Sequence, residues 1–278
     1  MLDQILKNLV AEKKKQGLAN DVIGNLLKEA LQFYALDFIY NSVYGQNLIF
    51  TGGSALRICY GLNRLSEDLD FDLEQGEKID KERLVEDALD YFKKRLDFPK
   101  IEATISGKEK KIYLKFSILY DLGLARKPES EKLYVKLEIA ENISKYYQTE
   151  FIPVSKFNLN FVVRIYTLET MMASKIIALL KRTFRKGRGD KITFKGRDYY
   201  DLLWFLQKGI SPETKRLSDV LAIADKKEIY RQLWRKVEKI DPVYLREDIL
   251  PLFEDRRFIE KYCQNYKEMV KKYLGAEI

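Results

Sequence analysis

Three aspartates at alternate positions are the residues of this sequence best suited to chemistry. Asp68, Asp70 and Asp72 alternate with Leu69 and Phe71 in the segment SEDLDFDL. Such alternation predicts a strand with one apolar side and one side that carries the carboxylates. Like charges at this spacing repel and aspartate disfavours strands, so a divalent cation between the carboxylates is the simple explanation. We therefore predict that Asp68 and Asp70 bind Mg²⁺ or Mn²⁺; the alternative is a solvent-exposed acidic strand.

A pair of glycines followed by a serine precedes this strand. Gly52, Gly53 and Ser54 follow the apolar run 48–50 and come before a short predicted helix at 55–60. Glycine lets the backbone turn sharply and approach a ligand closely. Free N–H groups at a helix N-terminus also attract phosphate. We therefore predict that this turn binds phosphate.

The combined pattern resembles a known superfamily. A Gly-Gly-Ser turn followed by Asp-x-Asp is similar to the first motif of the polymerase-β-type nucleotidyltransferases. The segments GGSALR and RLSEDLDFDL resemble the corresponding motifs of the AbiEii/AbiGii toxin branch of this superfamily. The resemblance covers about residues 48–206. The family's gap rule favours Asp68 and Asp70 as the metal pair and leaves Asp72 as a neighbour. From the same motif we assign Arg64 and Ser66 to nucleotide binding, together with the turn at 52–54.

A later predicted strand, 132–140, supplies a further acid and a lysine. Its apolar residues alternate with Lys136 and Glu138, which therefore share one side. A two-metal site takes a third carboxylate from a neighbouring strand, so we predict Glu138 as a catalytic metal ligand and Lys136 as a phosphate contact. A basic-x-acidic strand motif at this place is similar to that of AbiEii-like proteins. The alternative is a surface strand with an ordinary ion pair.

A lysine on the apolar stripe of a predicted helix, 168 to about 184, is the next candidate. Lys175 lies one turn from both Met171 and Leu179, so it must reach out to solvent or meet an anion. The resemblance implies that Lys175 is the family's motif-three lysine, which contacts the triphosphate or the leaving pyrophosphate. Arg182 on the same stripe is assigned to nucleotide binding. A lysine that only reaches solvent is the alternative.

Two aspartates open the following predicted helix, RDYYDLLWFL. Asp198 and Asp201 are three residues apart and therefore share one helix face. Acids at a helix N-terminus are stabilised by the helix dipole in any protein, which is the structural alternative. The pattern Arg-Asp-x-x-Asp-Leu is similar to the family's fourth motif. The resemblance therefore implies Asp198 as an active-site residue, with Asp201 as the fallback and as a nucleotide-binding residue.

The segment between these two helices, residues 181–197, is strongly basic. It contains eight lysines and arginines against one acid, with two interleaved phenylalanines. A flexible basic loop with aromatics can follow an RNA backbone and stack on its bases, whereas many charge runs are only solvated loops. The residues that we assign to RNA binding are Arg185, Lys186, Arg188, Lys191, Lys195 and Arg197.

The composition excludes several classes of protein. The chain has no histidine, which removes Ser-His-Asp and Cys-His hydrolases and His-ligated zinc. Its two cysteines suit neither a zinc site nor a disulfide framework. The net charge of +8 favours an anionic partner such as nucleic acid. Since the sequence shows neither a signal peptide nor an apolar run long enough to span a bilayer, we expect no membrane association and a cytoplasmic protein.

The elements that must position these residues follow from the periodicity of the chain. Two helices are expected within 1–45, one at 80–96, and only helices beyond 166, with Thr167, Ser211-Pro212 and Asp241-Pro242 at helix starts. The resemblance implies an α/β (α+β) fold: the mixed sheet of polymerase-β-like nucleotidyltransferases, with N-terminal helices and a C-terminal helical lobe. Two domains, 1–165 and 166–278, are expected. Strands are predicted at 48–50, 66–73, 100–106, 111–120 and 132–140.

The resemblance also implies an activity. The expected reaction is metal-dependent transfer of a nucleoside monophosphate from an NTP to an acceptor hydroxyl, by the toxin of a bacterial toxin–antitoxin or abortive-infection (phage-defence) system. Relatives and the basic loop suggest RNA as the acceptor, in particular the 3′ end of tRNA. The expected partners are the NTP, this RNA and an antitoxin that need not bind the toxin. The alternatives are a small-molecule (antibiotic-type) nucleotidyltransferase and a non-catalytic GTP- or RNA-binding protein.

Overall fold

The computed structural model describes residues 2–108, 110–182 and 194–275 of the chain. Two compact units are present. The first comprises the residues up to Asn142 together with Thr149–Ile165, and the second comprises Ile143–Gln148 together with the residues from Tyr166 onward. A seven-stranded mixed sheet dominates the first unit, and helices dominate the second. The predicted α/β class, with N-terminal helices and a helical C-terminal part, is confirmed.

The N-terminal helices are α1 (Leu2–Lys15) and α2 (Asn20–Tyr40), which pack against each other. The sequence predicts one apolar stripe on α2, but every residue of Glu29–Ile39 is buried. Buried polar side chains in this helix are compensated by partners; Asp37, for example, accepts a hydrogen bond of 2.6 Å from the Tyr91 hydroxyl. Helix α2 is therefore a core element of the first unit and not a surface layer.

The sheet has the strand order β3-β4-β5-β2-β1-β7-β6. Strand β2 lies near its centre, between antiparallel β1 and parallel β5. The predicted strands are all present, although β2 begins two residues later than expected. The apolar stretch 151–165 forms two further strands, of which β7 pairs with β1 and β6 follows β7 at the end of the strand order. The strand bounds are β1 Leu48–Thr51, β2 Asp68–Leu73, β3 Ile101–Ser106, β4 Lys111–Ser117, β5 Lys132–Glu141, β6 Thr149–Lys156 and β7 Leu159–Tyr166.

Two helices connect strands of the first unit. Helix α3 (Gly52–Tyr60) begins immediately after β1, so it includes both glycines and Ser54 in its first turn. Helix α4 (Lys81–Asp90) is capped by Asp80 and passes into a π-helical turn, Tyr91–Arg95. The sequence predicts one continuous helix at 80–96, and its periodicity does not reveal this change of hydrogen bonding.

Six α-helices and a short 3₁₀ helix, Leu250–Leu252, build the second unit among the described residues. Helix α5 packs against α6, α7 and α8, and α10 packs against α6, α8 and α9. Thr167 occupies the N-cap position of α5, but its side chain does not cap the helix. The predicted start at Ser211-Pro212 is wrong, because α7 begins at Thr214 with Glu213 as its cap, whereas the Asp241-Pro242 start is confirmed. The bounds are α5 Leu168–Lys181, α6 Gly196–Gln207, α7 Thr214–Leu221, α8 Lys226–Val237, α9 Pro242–Ile249 and α10 Ile259–Leu274.

Candidate active site

The parallel pairing of β2 with β5 assembles the first group of candidate residues. Asp68 lies opposite Lys136, and Asp70 lies opposite Glu138. Neighbouring strands are about 4.8 Å apart, so side chains at paired positions share one side of the sheet. Leu69 is fully buried on the other side. The fold thus brings together four residues that the sequence assigns to two separate motifs.

A lysine ammonium lies between two carboxylates of this group. Lys136 Nζ is 2.9 Å from Asp68 Oδ2 and 2.6 Å from Glu138 Oε1. The second oxygen of Glu138 lies 3.2 Å from Nζ of Lys111, on the adjacent strand β4. The result is an alternating row of charges that crosses three strands and ends at Asp68. Lys111 is a member that the sequence analysis missed, because only the register of β4 against β5 places it beside Glu138.

These contacts shift two pKa values. Burial alone would lower the pKa of Lys136, but hydrogen bonds to Glu138 and Asp68 outweigh burial and raise this pKa. Burial alone would raise the pKa of Glu138, but hydrogen bonds and charge from Lys136 and Lys111 hold it below its ordinary value. Both side chains are therefore charged at neutral pH.

The glycine turn lies directly against the aspartate strand. Gly52 has a φ of +77°, and a Cβ at this position would approach the Asp70 carboxylate, with Cγ only 2.9 Å away. A Cβ on Gly53 would lie 2.9 Å from Ser66 Oγ and would also meet the guanidinium of buried Arg64. Glycine is required at both positions because the backbone of α3's first turn touches these side chains.

Ser54, in the same turn, is completely buried. Its hydroxyl donates a short hydrogen bond to the backbone carbonyl of Asp68. This bond ties the beginning of helix α3 to the beginning of strand β2. Ser54 therefore holds the turn against the strand, and the predicted contacts of Ser54 and Arg64 with the nucleotide stay predictions.

The carboxylates of this group fit a hard divalent cation by chemistry. Asp68, Asp70 and Glu138 present oxygen donors on two adjacent strands, and oxygen is the donor that Mg²⁺ prefers. A positive charge already lies between Asp68 and Glu138, in the form of Lys136 Nζ. Among the described residues, no three acidic or cysteine side chains come close enough together to form a complete metal site. A metal would therefore need substrate oxygens in addition to these carboxylates, with Lys136 as a competitor.

The second unit contains its own charged group. Nζ of Lys175, on α5, lies 2.8 Å from Asp198 Oδ1 and 2.9 Å from Asp201 Oδ2, both on α6. Arg182, just beyond α5, binds the other oxygen of Asp198 at 2.7 Å. Asp201 is completely buried and Asp198 nearly so. The anion that the position of Lys175 demands is thus supplied by the two aspartates, and the group balances two positive charges with two negative ones.

Two carboxylates of helix α6 hold the ammonium group of Lys175. These contacts fix the direction of the lysine side chain. The positive charge is therefore already positioned, without a search through rotamers.

The residues predicted to bind RNA are described only in part. Lys195 precedes helix α6, and Arg197 lies in its first turn, where its backbone N–H donates to Asp248 Oδ2 at 3.4 Å. Arg185, Lys186, Arg188 and Lys191 lie outside the described residues. The RNA-binding assignment of this loop stays a prediction. None of the helices in the described parts of the chain is long and apolar enough to cross a membrane.

Comparison with known proteins gives these motifs a family. Residues 35–278 match the family described as nucleotidyl transferase AbiEii toxin, type IV toxin–antitoxin system. The fold is similar to the crystal structure of JHP933 from Helicobacter pylori, with a TM-score of 0.50 and 19% identity over 91% of this chain and 93% of that one. It is also similar to a candidate nucleotidyltransferase from H. pylori, with a TM-score of 0.50 and 18% identity over 91% and 95% of the two chains. No curated protein matches the chain.

The match and the motifs together define a nucleotidyltransferase. More particularly, the chain belongs to the AbiEii toxin family of type IV toxin–antitoxin systems, since the match covers most of its length. Membership implies a nucleotide substrate and an antitoxin as partner. The family resemblance and the enzyme class that the sequence predicts are therefore confirmed.

Proposed function

We propose that this AbiEii-family enzyme transfers a nucleoside monophosphate from an NTP to RNA, with the 3′ end of tRNA as the first candidate acceptor. The observation that carries the proposal is the pairing of β2 with β5, which places Asp68, Asp70, Lys136 and Glu138 side by side at the glycine turn. The surplus of basic residues, with a net charge of +8, supports a polyanionic acceptor.

Residues of the first unit supply most of the proposed chemistry. Backbone N–H groups of Gly53 and Ser54, in the first turn of α3, bind the triphosphate. Lys136 donates hydrogen bonds to phosphate oxygens. Glu138, which is ionised at neutral pH, is proposed to accept the proton of the attacking hydroxyl. Mg²⁺ or Mn²⁺ held by Asp68 and Asp70, with Glu138, would neutralise charge on the phosphates when bound.

The balance of the transfer is simple. The acceptor oxygen forms a bond with the α-phosphorus, the bond from that phosphorus to the bridging oxygen of the β-phosphate breaks, and pyrophosphate leaves with the electron pair. Lys175 is proposed to neutralise charge on this leaving group, and Asp198 is proposed to orient the lysine, with which it forms an ion pair of 2.8 Å. Arg182 and Asp201 are proposed to support nucleotide binding through the same group.

The test is incubation of the protein with each labelled NTP, Mg²⁺ and total tRNA. We expect label on tRNA, and we expect Asp68→Asn to reduce its rate by more than about 100-fold. Asp72→Asn is the matched control, because it removes the same charge from the same strand without touching the proposed metal pair. Label found only on a small molecule would instead establish the antibiotic-type reaction. Nucleotide binding without transfer to any acceptor would contradict catalysis by this site.

A further inference from the structure

The side of the sheet that carries Asp68 and Asp70 continues across β5, β4 and β3. Alternation along β4 and β5 buries the apolar side chains on the opposite side. The residues left on this side are polar or aromatic and at least partly exposed. We refer to them as the open face. They include Lys132, Tyr134, Lys136 and Glu138 on β5, Lys111, Tyr113 and Lys115 on β4, and Glu102 and Thr104 on β3.

Two tyrosines and two lysines alternate in the middle of the open face. Tyr113 lies opposite Lys136, and Tyr134 lies opposite Lys115. Each ring therefore has a lysine as its direct neighbour on the adjacent strand. Tyr134 is 41% exposed although its ring is large and mostly apolar. Exposed aromatic rings interleaved with lysines at strand spacing are the arrangement by which sheet surfaces bind single-stranded nucleic acid.

The charge of the open face also suits a phosphate backbone. Its four lysines outnumber its two glutamates, Glu102 and Glu138. Lys132 pairs with Glu102 at 2.8 Å, whereas Lys115 makes no ion pair with any residue that the structure describes. Lys115 faces Glu102 on the neighbouring strand without an ion pair to it, so its ammonium can turn toward an incoming anion next to the exposed ring of Tyr134.

The open face is continuous with the proposed active site. Lys136 is the cross-strand neighbour of both Tyr113 and Asp68. Two strand spacings, or about 10 Å, therefore separate the positions of Tyr113 and Asp68 on one side of the sheet. A strand whose base stacks on Tyr113 would pass its backbone over Lys136 and bring its terminus close to the aspartates.

We propose that the open face binds the single-stranded 3′ end of the acceptor RNA, with bases stacked on Tyr113 and Tyr134 and phosphates on Lys115 and Lys136. The direction of the strand, with its terminal hydroxyl toward Asp68, rests on the proposed function. Stacking on the rings and contact with the lysines need no catalysis, and they are tested separately. No residue of the basic loop at 181–197 is required for this platform.

The experiment measures direct binding of a fluorescent single-stranded RNA of about ten nucleotides with a free 3′ hydroxyl. No NTP is present. We expect Tyr113→Leu and Tyr134→Leu each to weaken binding by about 5- to 100-fold, which is the usual effect of losing one stacked base. Tyr113→Phe and Tyr134→Phe keep the ring and should bind like the unchanged protein. Lys115→Gln should reduce the dependence of binding on salt, because one phosphate contact is lost.

Tyr273→Leu is the matched control, because Tyr273 is a similarly exposed tyrosine, at 39%, on helix α10 of the second unit. It should leave RNA binding unchanged. Circular dichroism melting checks that each variant is folded. Unchanged binding by the folded Tyr113→Leu/Tyr134→Leu double variant, or no binding by the unchanged protein, would overturn the platform.

The two proposals can fail separately. If tRNA is labelled at an undiminished rate by the double tyrosine variant, the proposed function stands and the platform is wrong. If the oligonucleotide binds through the tyrosines but no label is transferred to RNA, the platform stands and the proposed acceptor is wrong.

Discussion

Lys136 bridges two carboxylates that would otherwise repel each other. Its Nζ contacts Asp68 and Glu138, and only 23% of its side chain is exposed. The sequence shows that Lys136 and Glu138 share one side of a strand, but alternation within one strand cannot identify its neighbour. The parallel register with β2 supplies that information. It shows that Lys136, which the sequence analysis assigns to phosphate contact, already forms an ion pair with the aspartate strand.

Lys136→Met should lower the free energy of unfolding by about 1–3 kcal/mol at neutral pH, because Asp68 and Glu138 lose the ammonium between them and Glu138 keeps only Lys111. Millimolar Mg²⁺ should restore more stability to this variant than to the unchanged protein, because the cation can take the vacated place. Urea unfolding with and without Mg²⁺ measures both effects.

Lys115→Met serves as the control for this variant, because it removes a lysine from the adjacent strand that forms no ion pair among the described residues. It should change stability by less than about 0.5 kcal/mol, with no response to Mg²⁺. Equal effects of the two substitutions would contradict the bridging role of Lys136.

Asp201 is the buried member of the Lys175 group, and its side chain is completely inaccessible. Asp201→Asn should lower the free energy of unfolding by about 2–4 kcal/mol, because it leaves the ammonium of Lys175 with one carboxylate in a buried setting. Asp198→Asn should cost less, about 1–2 kcal/mol, because Asp198 is slightly exposed and its second partner, Arg182, can turn to solvent. Thermal or urea unfolding ranks the two variants.

A double-mutant cycle of Lys175→Met with Asp201→Asn separates the pair from its surroundings. Coupling between the two substitutions should exceed about 1 kcal/mol, whereas additive effects would show that Lys175 does not depend on Asp201.

The sequence predicted both that the two aspartates share a helix face and that Lys175 needs an anion, because each follows from the spacing of residues along a helix. That the two aspartates are the anion for Lys175 depends on the packing of α5 against α6, which cannot be predicted from spacing within either helix.

Helix α3 has a glycine with a positive φ at each end, and the two glycines have different surroundings. It begins at Gly52, three residues earlier than the sequence predicts, because the glycines take part in its first turn. At its other end Gly61 also has a positive φ, of +73°, but a Cβ there would meet no atom within 4 Å. The two ends therefore differ in crowding while sharing the same type of backbone conformation.

This difference gives a matched pair of substitutions. Gly61→Ala introduces only backbone strain and should cost about 1 kcal/mol of stability with little effect on transfer. Gly52→Ala adds a collision with the Asp70 carboxylate, so it should cost more than about 2 kcal/mol and abolish transfer. Unfolding measurements and the tRNA-labelling assay check both variants. Similar losses in the two variants would show that crowding against Asp70 does not matter.

The elements that the sequence predicted best are those in which apolar and polar residues alternate regularly. Strands β2, β4 and β5 alternate strictly, and the structure places them within a few residues of the expected bounds. The π-helical turn after α4 and the all-round burial of α2 were not predicted, because both depend on neighbours that are distant in sequence. The non-consecutive strand order was not predicted for the same reason, except that the strand of Glu138 was expected beside the aspartate strand from the chemistry of a metal site, and β5 does pair with β2.

Over the whole molecule, the absence of histidine predicts an unusual response to pH. Between about pH 6 and 8 no side chain with an ordinary pKa titrates, so the free energy of unfolding should be nearly constant. Above about pH 9 it should fall. Burial raises the pKa of Cys59 to about 12 and that of Cys263 to about 11, so in alkali the unfolded chain loses protons that the folded protein retains.

Urea unfolding across this range provides the measurement. Cys59→Ala should make the alkaline decline shallower. A steep change between about pH 6 and 8 would instead require a group with a strongly shifted pKa and would contradict this expectation.

The lysine between Asp68 and Glu138 has a consequence for how this protein folds. Because the polypeptide carries its own neutralising charge, the sheet can form without waiting for an inorganic ion. Newly made protein should therefore reach its native state in chelating buffer, and the nucleotide and the proposed metal ion would bind only afterwards. Folding and activation would then be separate events. A cell could keep the enzyme folded but inactive.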